Sequence, residues 1–371
     1  MIEPEPLQQV GRTYVLWRGH KLSYFSGCDY FRLSTHPKVL RALTAGLKRF
    51  GLNVSASRLT TGNHSLYDEL ERRLAWFFKV EAALVVPTGY VANLAVAQAL
   101  SGHYSHALID EAAHASLRDA SKMLECPVLQ FKHESPSDLA VAVRRCGPGS
   151  RLIVLTDGLF SQDGSVAPIK KYLNVLPQDS SILVDDAHGM GVLGPNGRGA
   201  GEQIHAKGRM IQTITLSKAL GVYGGAILGS KALRRKILRR SQLFVGCTPL
   251  PLPLVSAALQ ALTILRSDRS LRSRLSRNTN SVRSALLETG IVIPIAPGPI
   301  ISLLPRDRMA VAKVKGALVK AGVYPPFIQY PGGPKSGYFR FVISSEHTGD
   351  QLKALATALI GASNLLVPLR R

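Results

Sequence analysis

Short apolar segments alternate with helical patterns along the first two thirds of the chain. Most of these segments are followed by a polar or glycine-containing turn and then by a stretch with helical periodicity. The segments are AALVV (82–86), ALI (107–109), LIVL (152–155), SILV (181–184), IQTITL (211–216) and GAILG (225–229). This alternation predicts an α/β domain built on a largely parallel sheet.

Polar residues follow several of these predicted strands. They are Thr88, Gly89, Asp110, His114, Ser161, Asp185, His188 and Lys218. Functional residues of a parallel sheet gather beyond the carboxyl ends of its strands. We therefore expect this edge of the sheet to carry the chemistry of the protein.

The pattern changes after about residue 250, where PLPLPL (249–254) interrupts the chain. A long basic helical stretch then runs to about Glu288, and strand-like segments follow at 291–295 (IVIPI) and 338–344 (YFRFVIS). The predicted organisation is an N-terminal arm (1–45), a large domain (46–250) and a smaller C-terminal α/β domain (251–371).

The composition predicts a globular, cytoplasmic protein. Of the 371 residues 46% are hydrophobic, which is enough for a sizeable core. The four cysteines are scattered and include no CxxC pair, which argues against a disulfide framework or a zinc knuckle. The first ten residues, MIEPEPLQQV, lack the basic and apolar regions of a signal peptide, and no apolar run reaches the length of a membrane span.

The chain is strongly basic, with 46 Lys and Arg against 24 Asp and Glu and a net charge of +22. Such a surface favours anionic partners: nucleic acid, an anionic membrane surface or an acidic protein. The basic residues cluster at 234–240 and 266–277, where the pattern is helical. A solvated helix face is the alternative interpretation of both clusters.

The stretch SILVDDAHGMGVLG (181–194) combines two carboxylates, a histidine and a GxGxxG pattern. The matching glycines are Gly189, Gly191 and Gly194. A dinucleotide loop needs its glycines at the end of the strand with a helix opening on them, whereas here DDAH intervenes and PNGRGAG follows. A metal site at Asp185, Asp186 and His188 is also disfavoured, because adjacent strand residues point to opposite faces and no second ligand cluster follows.

The segment TLSKALGVYGG (215–225) resembles the cofactor-binding lysine segment of fold-type I enzymes that use pyridoxal 5'-phosphate (PLP). Together with SRLTTG, PTGYVAN, DEAAHASL, DGLFSQDG and VDDAHGMGVLGPNGRG it resembles the α-oxoamine synthases, over residues 28 to 347. The resemblance implies a central, mostly parallel seven-stranded sheet with helices on both faces, a smaller C-terminal α/β domain, and a homodimer with its sites at the interface.

The resemblance also assigns roles to the residues that match the family. Lys218 would bind the cofactor aldehyde and later act as a general base. Asp185 would keep the pyridine nitrogen protonated, which the chemistry requires. His188 would bind the phenolic oxygen of the cofactor, and His114 would stack over its ring.

Further residues match the phosphate and substrate sites of the family. Thr88, Gly89 and Tyr90 precede a helical pattern, so their backbone N–H groups suit a phosphate, and Thr215 matches a phosphate ligand. Ser161 matches a residue near the cofactor oxygen. The other matches are a phosphate ligand from the second subunit, at Cys247 or Thr248, and Arg340, whose fork suits the carboxylate of an amino acid.

The reaction implied by the family joins an amino acid to an acyl thioester with loss of carbon dioxide. The motifs favour L-alanine and a pimeloyl thioester, delivered by coenzyme A or acyl carrier protein, to give a biotin precursor. The departures NVSASR (53–58), Tyr67 and CDYFRL (28–33) leave the acyl chain open. A serine- or glycine-using relative, a sphingolipid-type relative and an aminotransferase remain alternatives, whereas a nucleic-acid-binding protein would leave the lysine, aspartate and histidine constellation unexplained.

The resemblance suggests a more specific interpretation of the net charge. Either acyl donor is anionic, so a basic rim around the acyl tunnel would steer it to the enzyme. We expect four arginines to contribute to that rim: Arg234, Arg235, Arg239 and Arg240.

Overall fold

The structure is a computed structural model that describes residues 5–204, 208–291, 293, 296–329 and 333–369. It divides into two compact units. The large unit comprises His36–Phe160 and Val166–Ser267. The small unit comprises the described residues up to Thr35, the segment Ser161–Ser165, and the described residues from Asp268 onward.

The described strands, in chain order, are β1 (Gln8–Val10), β2 (Tyr14–Trp17), β3 (His20–Ser23), β4 (Ala82–Val86), β5 (His106–Asp110), β6 (Val128–Phe131), β7 (Leu152–Asp157), β8 (Ser181–Asp185), β9 (Met210–Thr215), β10 (Gly225–Gly229), β11 (Ile300–Pro305), β12 (Phe327–Ile328), β13 (Tyr338–Val342) and β14 (Leu366–Pro368). The described α-helices are α1 (Pro37–Phe50), α2 (Ser65–Phe78), α3 (Gly89–Ala99), α4 (Ala115–Met123), α5 (Pro136–Arg145), α6 (Ile169–Val175), α7 (Lys231–Arg240), α8 (Gln242–Val245), α9 (Leu252–Ser267), α10 (Ser270–Glu288), α11 (Arg308–Lys320) and α12 (Gly349–Gly361). Two short 3₁₀ helices occupy Leu33–Thr35 and Ser363–Leu365.

The large unit is built on one seven-stranded sheet in the order β4-β10-β9-β8-β7-β5-β6. All neighbours are parallel except β10, which runs antiparallel to both β4 and β9. This confirms the predicted mostly parallel, seven-stranded sheet. Six of its strands fall on the predicted apolar segments, whereas β6 was not predicted because its half-exposed sequence, VLQF, carries no continuous apolar run.

Helices cover both faces of this sheet. Along β7, Ile153 and Leu155 belong to a core shared with α3, α4 and α7, whereas Leu152 and Val154 belong to a core shared with α5 and α6. Because side chains alternate along a strand, β7 must be apolar at every position to serve both cores. The predicted helices on both faces are thus confirmed.

Strand register brings polar side chains together at the carboxyl end of the sheet. Asp157 at the end of β7 lies beside Asp185 at the end of β8, and Asp185 lies beside Thr213 of β9. In-register residues on neighbouring strands lie about 4.8 Å apart and point to the same face. This edge therefore concentrates two carboxylates and a hydroxyl on the face covered by α3 and α4.

The small unit contains two antiparallel sheets, β1-β2-β3 and β12-β13-β11-β14. Its core is formed by α10, α11 and α12 packed on β11 and β13, with Leu286, Val314, Leu355 and Phe339 fully buried. The segment predicted as a strand at 338–344 contains β13. The one predicted at 291–295 lies partly outside the described residues.

The bounds of the two units differ from the predicted domain boundaries. Helices α1 and α9 pack so closely that a Cβ on Gly46 would lie 2.9 Å from Cα of Pro253, which keeps both helices in the large unit. Of the predicted N-terminal arm, the described residues up to Thr35 belong to the small unit, where the Ser23 N–H donates to the Gly322 carbonyl at 2.7 Å.

Across the described part of the chain, no helix has both the length and the apolar character that a membrane crossing requires.

Candidate functional site

The N-terminus of α3 is a tightly enclosed backbone turn. Thr88 is the N-cap, and its hydroxyl accepts the Val91 N–H at 3.0 Å. A Cβ on Gly89 would lie 2.9 Å from Cβ of Thr215, and one on Gly225 would lie 2.5 Å from the Gly89 nitrogen. Neither glycine has room for a side chain, so Thr215 and the start of β10 approach the first turn of α3 directly. A helix N-terminus of this kind suits a phosphate.

Thr215 also shapes the turn that carries Lys218. Its hydroxyl donates to the Gly224 carbonyl at 3.1 Å and accepts the Ser217 N–H at 3.2 Å. The half-buried Lys218 follows, and its positive charge contributes to the lowered pKa of His114 and partly opposes the rise that burial causes in the pKa of Asp157. The Lys218 amine therefore lies within electrostatic reach of both groups.

Asp185 is a buried carboxylate at the end of β8. It accepts hydrogen bonds from the Asn93 amide at 2.6 Å, the Ala187 N–H at 3.0 Å and the Ser116 hydroxyl at 3.4 Å. Donors directed at a carboxylate favour its ionised form. Asp185 is therefore suited to hold a cationic group such as a protonated ring nitrogen.

His114 is the N-cap of α4. Its Nδ1 lies 3.2 Å from the Ser116 nitrogen and 2.8 Å from the Ser116 hydroxyl. Burial lowers the pKa of His114, the charge of Lys218 lowers it further, and Asp185 partly offsets both. The ring is therefore neutral near pH 7.

Tyr90 lies beside this histidine. Its ring is edge-on to His114 with the ring centroids 6.1 Å apart, and its hydroxyl donates to the Asp119 carboxylate at 2.5 Å. These two contacts link the first turn of α3 to α4, so the predicted phosphate turn and His114 stabilise each other's position.

Asp157 is a second buried carboxylate of this edge and was not among the residues predicted from the sequence. It accepts the backbone N–H of His114 at 2.8 Å. Burial raises the pKa of Asp157 well above its usual range, and the neighbouring charge of Asp185 adds to the shift. Of the two in-register carboxylates, Asp157 is therefore the one that holds a proton.

The turn after β8 buries His188 and a further carboxyl, Asp186. One Asp186 oxygen accepts the Ala200 N–H and the Gln212 amide, both at 2.7 Å. Its other oxygen has no hydrogen-bond partner among the described residues. Burial raises the pKa of Asp186 to about 7 even though the two hydrogen bonds oppose the shift.

The glycines of the GxGxxG pattern make room for carboxylates. A Cβ on Gly189 would lie 1.7 Å from one oxygen of Asp186, and one on Gly194, whose φ is +81°, would lie 2.3 Å from the Glu202 carboxylate. Residues 186–204, which follow β8 and include these glycines, form turns rather than a helix. The spacing of these glycines thus follows from the packing of this loop.

The remaining predicted residues lie elsewhere. Arg340 on β13 and Ser161 belong to the small unit, where the Arg340 Nη1 donates to the Ser161 carbonyl at 3.3 Å. The Arg340 Nε is buried without a partner, and no described carboxylate lies within ion-pair distance of this side chain. In the large unit, between α8 and α9, Thr248 is exposed and Cys247 is half-buried.

Two of the four α7 arginines predicted to form a rim have partners within the large unit. Arg234 binds the buried carboxylate of Glu71 at 3.1 Å, and Arg240 donates to the Ser101 carbonyl at 3.2 Å. Ser101 follows the C-terminus of α3, at the opposite end of that helix from Thr88. Arg240 therefore lies away from the predicted phosphate turn, and the rim of arginines for the acyl donor stays a prediction.

Three polar residues that connect the site, besides Asp157, were missed by the sequence analysis. They are Asn93, Ser116 and Thr213, all buried. Asn93 interrupts the apolar helix segment VANLAVAQAL, and Thr213 interrupts the apolar strand IQTITL. A polar residue at a buried position of an apolar element needs a partner, and that signal could have identified both.

The residues of the large unit fit PLP on chemical grounds. A helix N-terminus enclosed by glycines, a buried carboxylate with three donors and a lysine in electrostatic reach match its phosphate, ring nitrogen and aldehyde. Over the described ranges, no cluster of three or more His, Cys, Asp or Glu side chains is arranged to hold a metal ion.

Comparisons with known proteins agree with this chemistry. Residues 26–359 match the family described as aminotransferase class I and II. The chain is 33% identical over 345 residues to an 8-amino-7-oxononanoate synthase of Thioalkalivibrio sulfidiphilus, covering 92% of this chain and 88% of the relative. It is 31% identical over 335 residues to 8-amino-7-oxononanoate synthase 1 of Bacillus subtilis, covering 90% and 86%.

Solved structures show the same fold. Serine palmitoyltransferase of Sphingomonas wittichii superposes with a TM-score of 0.88 at 26% identity, over 95% of this chain and 90% of the other. An 8-amino-7-oxononanoate synthase of Francisella tularensis superposes with a TM-score of 0.79 at 25% identity, over 92% and 96%. The serine palmitoyltransferase of S. paucimobilis, with a TM-score of 0.89 at 26% identity over 96% and 91%, was solved with a PLP adduct. The chain therefore belongs to the aminotransferase class I and II family of fold-type I enzymes, and within it to the PLP-dependent α-oxoamine synthases, which are acyltransferases.

Proposed function

We propose that this enzyme condenses L-alanine with a pimeloyl thioester to give 8-amino-7-oxononanoate, carbon dioxide and free thiol, a step of biotin synthesis. The names of the relatives support the substrates. The observation that carries the chemistry is the buried Asp185 carboxylate with its three donors, in the same unit as the N-terminus of α3 and Lys218.

The two central site residues of the large unit, Lys218 and Asp185, each have a specific role in this proposal. PLP, when bound, supplies an electron sink for the carbanion at the α-carbon of the amino acid. The Lys218 amine removes the proton from that carbon and later returns one. Asp185 holds the ring nitrogen in its protonated form, which its three hydrogen bonds favour.

The neighbouring residues bind and orient the cofactor. Thr88, Gly89, Tyr90 and Thr215 hold the phosphate at the first turn of α3, where the helix dipole favours an anion. His114 covers one face of the ring, and its neutral state keeps a second cation away from Lys218.

Three assignments rest on the family resemblance. His188 and Ser161 bind the phenolic oxygen side of the cofactor, and Thr248, or alternatively Cys247, completes the phosphate site of the partner subunit in a homodimer. The exposure of Thr248 supports a contact with a second copy. The enzyme then works as a cytoplasmic homodimer, with coenzyme A or acyl carrier protein delivering the acyl group.

Arg340 is the proposed ligand of the amino-acid carboxylate. Its guanidinium has no carboxylate partner among the described residues, and a buried Nε without a partner leaves a donor for one. Arginine binds carboxylates through two parallel hydrogen bonds, a geometry that lysine cannot reproduce.

A serine-using acyltransferase is the second candidate. The observation in its favour is structural, since the serine palmitoyltransferases superpose with TM-scores of 0.88 and 0.89 against 0.79 for the solved 8-amino-7-oxononanoate synthase. The sequence relatives at 31% and 33% identity are both named 8-amino-7-oxononanoate synthase, which favours the first candidate, whereas among the solved structures the identities of 25% and 26% do not separate the two.

A substrate panel separates these candidates. The purified holoenzyme is assayed for thiol release with alanine, serine and glycine, each against pimeloyl and palmitoyl thioesters on coenzyme A and pimeloyl groups on carrier protein. We expect alanine with a pimeloyl thioester to give the highest kcat/KM, and Lys218→Ala to abolish turnover. Preference for serine with the palmitoyl thioester would establish the second candidate, and transamination without thiol release would exclude both.

A further inference from the structure

Asn93 lies at the centre of the hydrogen-bond network around Asp185, and every polar atom of its side chain is used. Its Nδ2 donates to Asp185 at 2.6 Å and to the Ser116 hydroxyl at 2.9 Å. Its Oδ1 accepts the Thr213 hydroxyl at 2.6 Å. The side chain is fully buried, so water cannot replace any of these partners.

This arrangement fixes the orientation of the amide. A carboxylate can only accept hydrogen bonds, so the nitrogen of Asn93 must face Asp185. Thr213, in register beside Asp185 on the next strand, donates to the oxygen of the same amide. Rotation of the amide would direct an oxygen at the Asp185 carboxylate and leave the Thr213 hydroxyl without its acceptor.

The network matters because Asp185 is one of two adjacent buried carboxylates. Asp157 lies beside it in register and accepts one hydrogen bond from the described residues, the His114 N–H at 2.8 Å, whereas Asp185 accepts three. Two carboxylates at this distance do not both stay ionised, and the one with more donors keeps the charge. The raised pKa of Asp157 agrees with this division.

We infer that Asn93 is a positioning residue that keeps the negative charge of this carboxylate pair on Asp185, where the proposed function requires it for the ring nitrogen of PLP. Asn93 acts through Asp185 and is not itself placed against the cofactor. Ser116 extends the same network from Asn93 to His114, so one amide orients both groups.

Several titratable groups surround Asp185 and enter any test that varies pH. They are Asp157 on β7, Asp186 in the following turn, His114 at the start of α4, and Lys218 after β9. All of them are retained when Asn93 is replaced, so a change confined to the variant reports on the amide alone.

The test measures the dissociation constant of PLP from the enzyme between pH 5.5 and 8.5 for wild type and for Asn93→Leu, a replacement of similar size without donors. Loss of the Asn93 amide removes the shortest hydrogen bond that Asp185 accepts, which makes its carboxylate easier to protonate, and a protonated carboxyl no longer holds the cationic ring nitrogen. We expect the ratio of the dissociation constants, variant over wild type, to rise about ten-fold as the pH falls across this range. A ratio that is the same at every pH would show that Asn93 has only a structural role.

Two further variants keep the test decisive. Thr213→Val removes the bond that holds the amide, together with a 3.4 Å contact to the Val184 carbonyl, and we expect the same pH trend with a smaller amplitude. If Asn93→Leu does not fold, the absence of this trend in Thr213→Val overturns the inference. The control is Asn278→Leu in the small unit, another buried amide, which donates to the Ser344 and His347 carbonyls. The ratio of the PLP dissociation constants, Asn278→Leu over wild type, should not change with pH.

Asp185→Asn separates this inference from the proposed function. If Asp185→Asn binds PLP as tightly as wild type, the role proposed for Asp185 is wrong regardless of Asn93. If Asp185→Asn weakens binding but the Asn93→Leu ratio is independent of pH, the proposed function stands and the inference about Asn93 is wrong.

Discussion

Neighbouring aspartates of this enzyme differ because their donors differ. Asp185 accepts three hydrogen bonds, Asp157 accepts one from the His114 backbone, and Asp186 accepts two on one oxygen while its other oxygen has no described partner. Burial disfavours a carboxylate at every one of these positions, so the number and placement of donors decides which is ionised. Asp185 and Asp186 are adjacent in sequence, and only their environments distinguish them.

Asp186 should make the stability of the fold depend on pH. Its pKa is raised to about 7 in the folded state, so the native protein holds a proton that the unfolded chain has released. Stability therefore falls as the pH rises from about 4 to about 7. We expect Asp186→Asn, which cannot ionise, to gain roughly 2–4 kcal/mol relative to wild type between pH 5 and pH 8, measured by urea unfolding. If the unfolding free energies of the two proteins changed by the same amount with pH, the raised pKa of Asp186 would be contradicted.

Arg340 supplies the second prediction at this scale. Arg340→Lys keeps the charge but loses the planar fork, so we expect the KM for the amino acid to rise about ten-fold or more while the KM for the acyl thioester changes little. The exposed Arg306→Lys is a matched control in the same unit. Equal increases in both KM values would make Arg340 a structural residue instead.

At the scale of elements, the apolar pattern predicted six of the seven strands of the large sheet, but it missed the half-exposed strands β6 and β1 to β3 and also the buried strand β11. AALVV and GAILG match β4 and β10 residue for residue, because a strand buried on both faces must be continuously apolar. The edge strand β6 and the hairpins β1 to β3 bury few side chains, so their sequences carry a weaker signal.

The site was predictable only in part for a related reason. Thr88, Asp185 and Lys218 follow predicted strands, and their position along the chain was enough to select them. The role of Asn93 depends on its partners on β8, β9 and α4, which lie up to 120 residues away in the sequence. That pairing depends on the register and on how α3 packs across the sheet, which one sequence does not determine.

The C-terminus of α2 offers a prediction about local backbone strain. Its cap, Lys79, is exposed and adopts the left-handed conformation with φ 56° and ψ 43°. Glycine adopts this conformation without the steric cost of a Cβ, so Lys79→Gly should stabilise the protein by about 0.5–1 kcal/mol. Urea unfolding compares it with Lys79→Ala, which removes the same charge and keeps the Cβ. A glycine variant no more stable than the alanine variant would rule out this strain.

At the scale of the whole molecule, the charge of +22 is not explained by the site. The arginines of α7 do not all face solvent freely, because Arg234 is bound to the buried Glu71. Arg235 and Arg239 are exposed, on the helix that ends near the far end of α3. An eleven-residue helix is about 16 Å long, which exceeds the screening length of about 8–10 Å at moderate salt.

Reversal of these two exposed charges should therefore leave catalysis unchanged. We expect the double variant Arg235→Glu and Arg239→Glu to show the wild-type KM for the acyl thioester and the wild-type dependence of that KM on salt. A higher KM together with a weaker salt dependence would show that α7 steers the acyl donor after all.

The most direct test of the central claim measures carbon dioxide and free thiol in one reaction. The holoenzyme is supplied with a pimeloyl thioester and L-alanine labelled in its carboxyl carbon. Decarboxylative condensation predicts one labelled carbon dioxide for each thiol released, and none of either from Lys218→Ala. Thiol release with the label retained in the product, or conversion of alanine to pyruvate without thiol release, would contradict it.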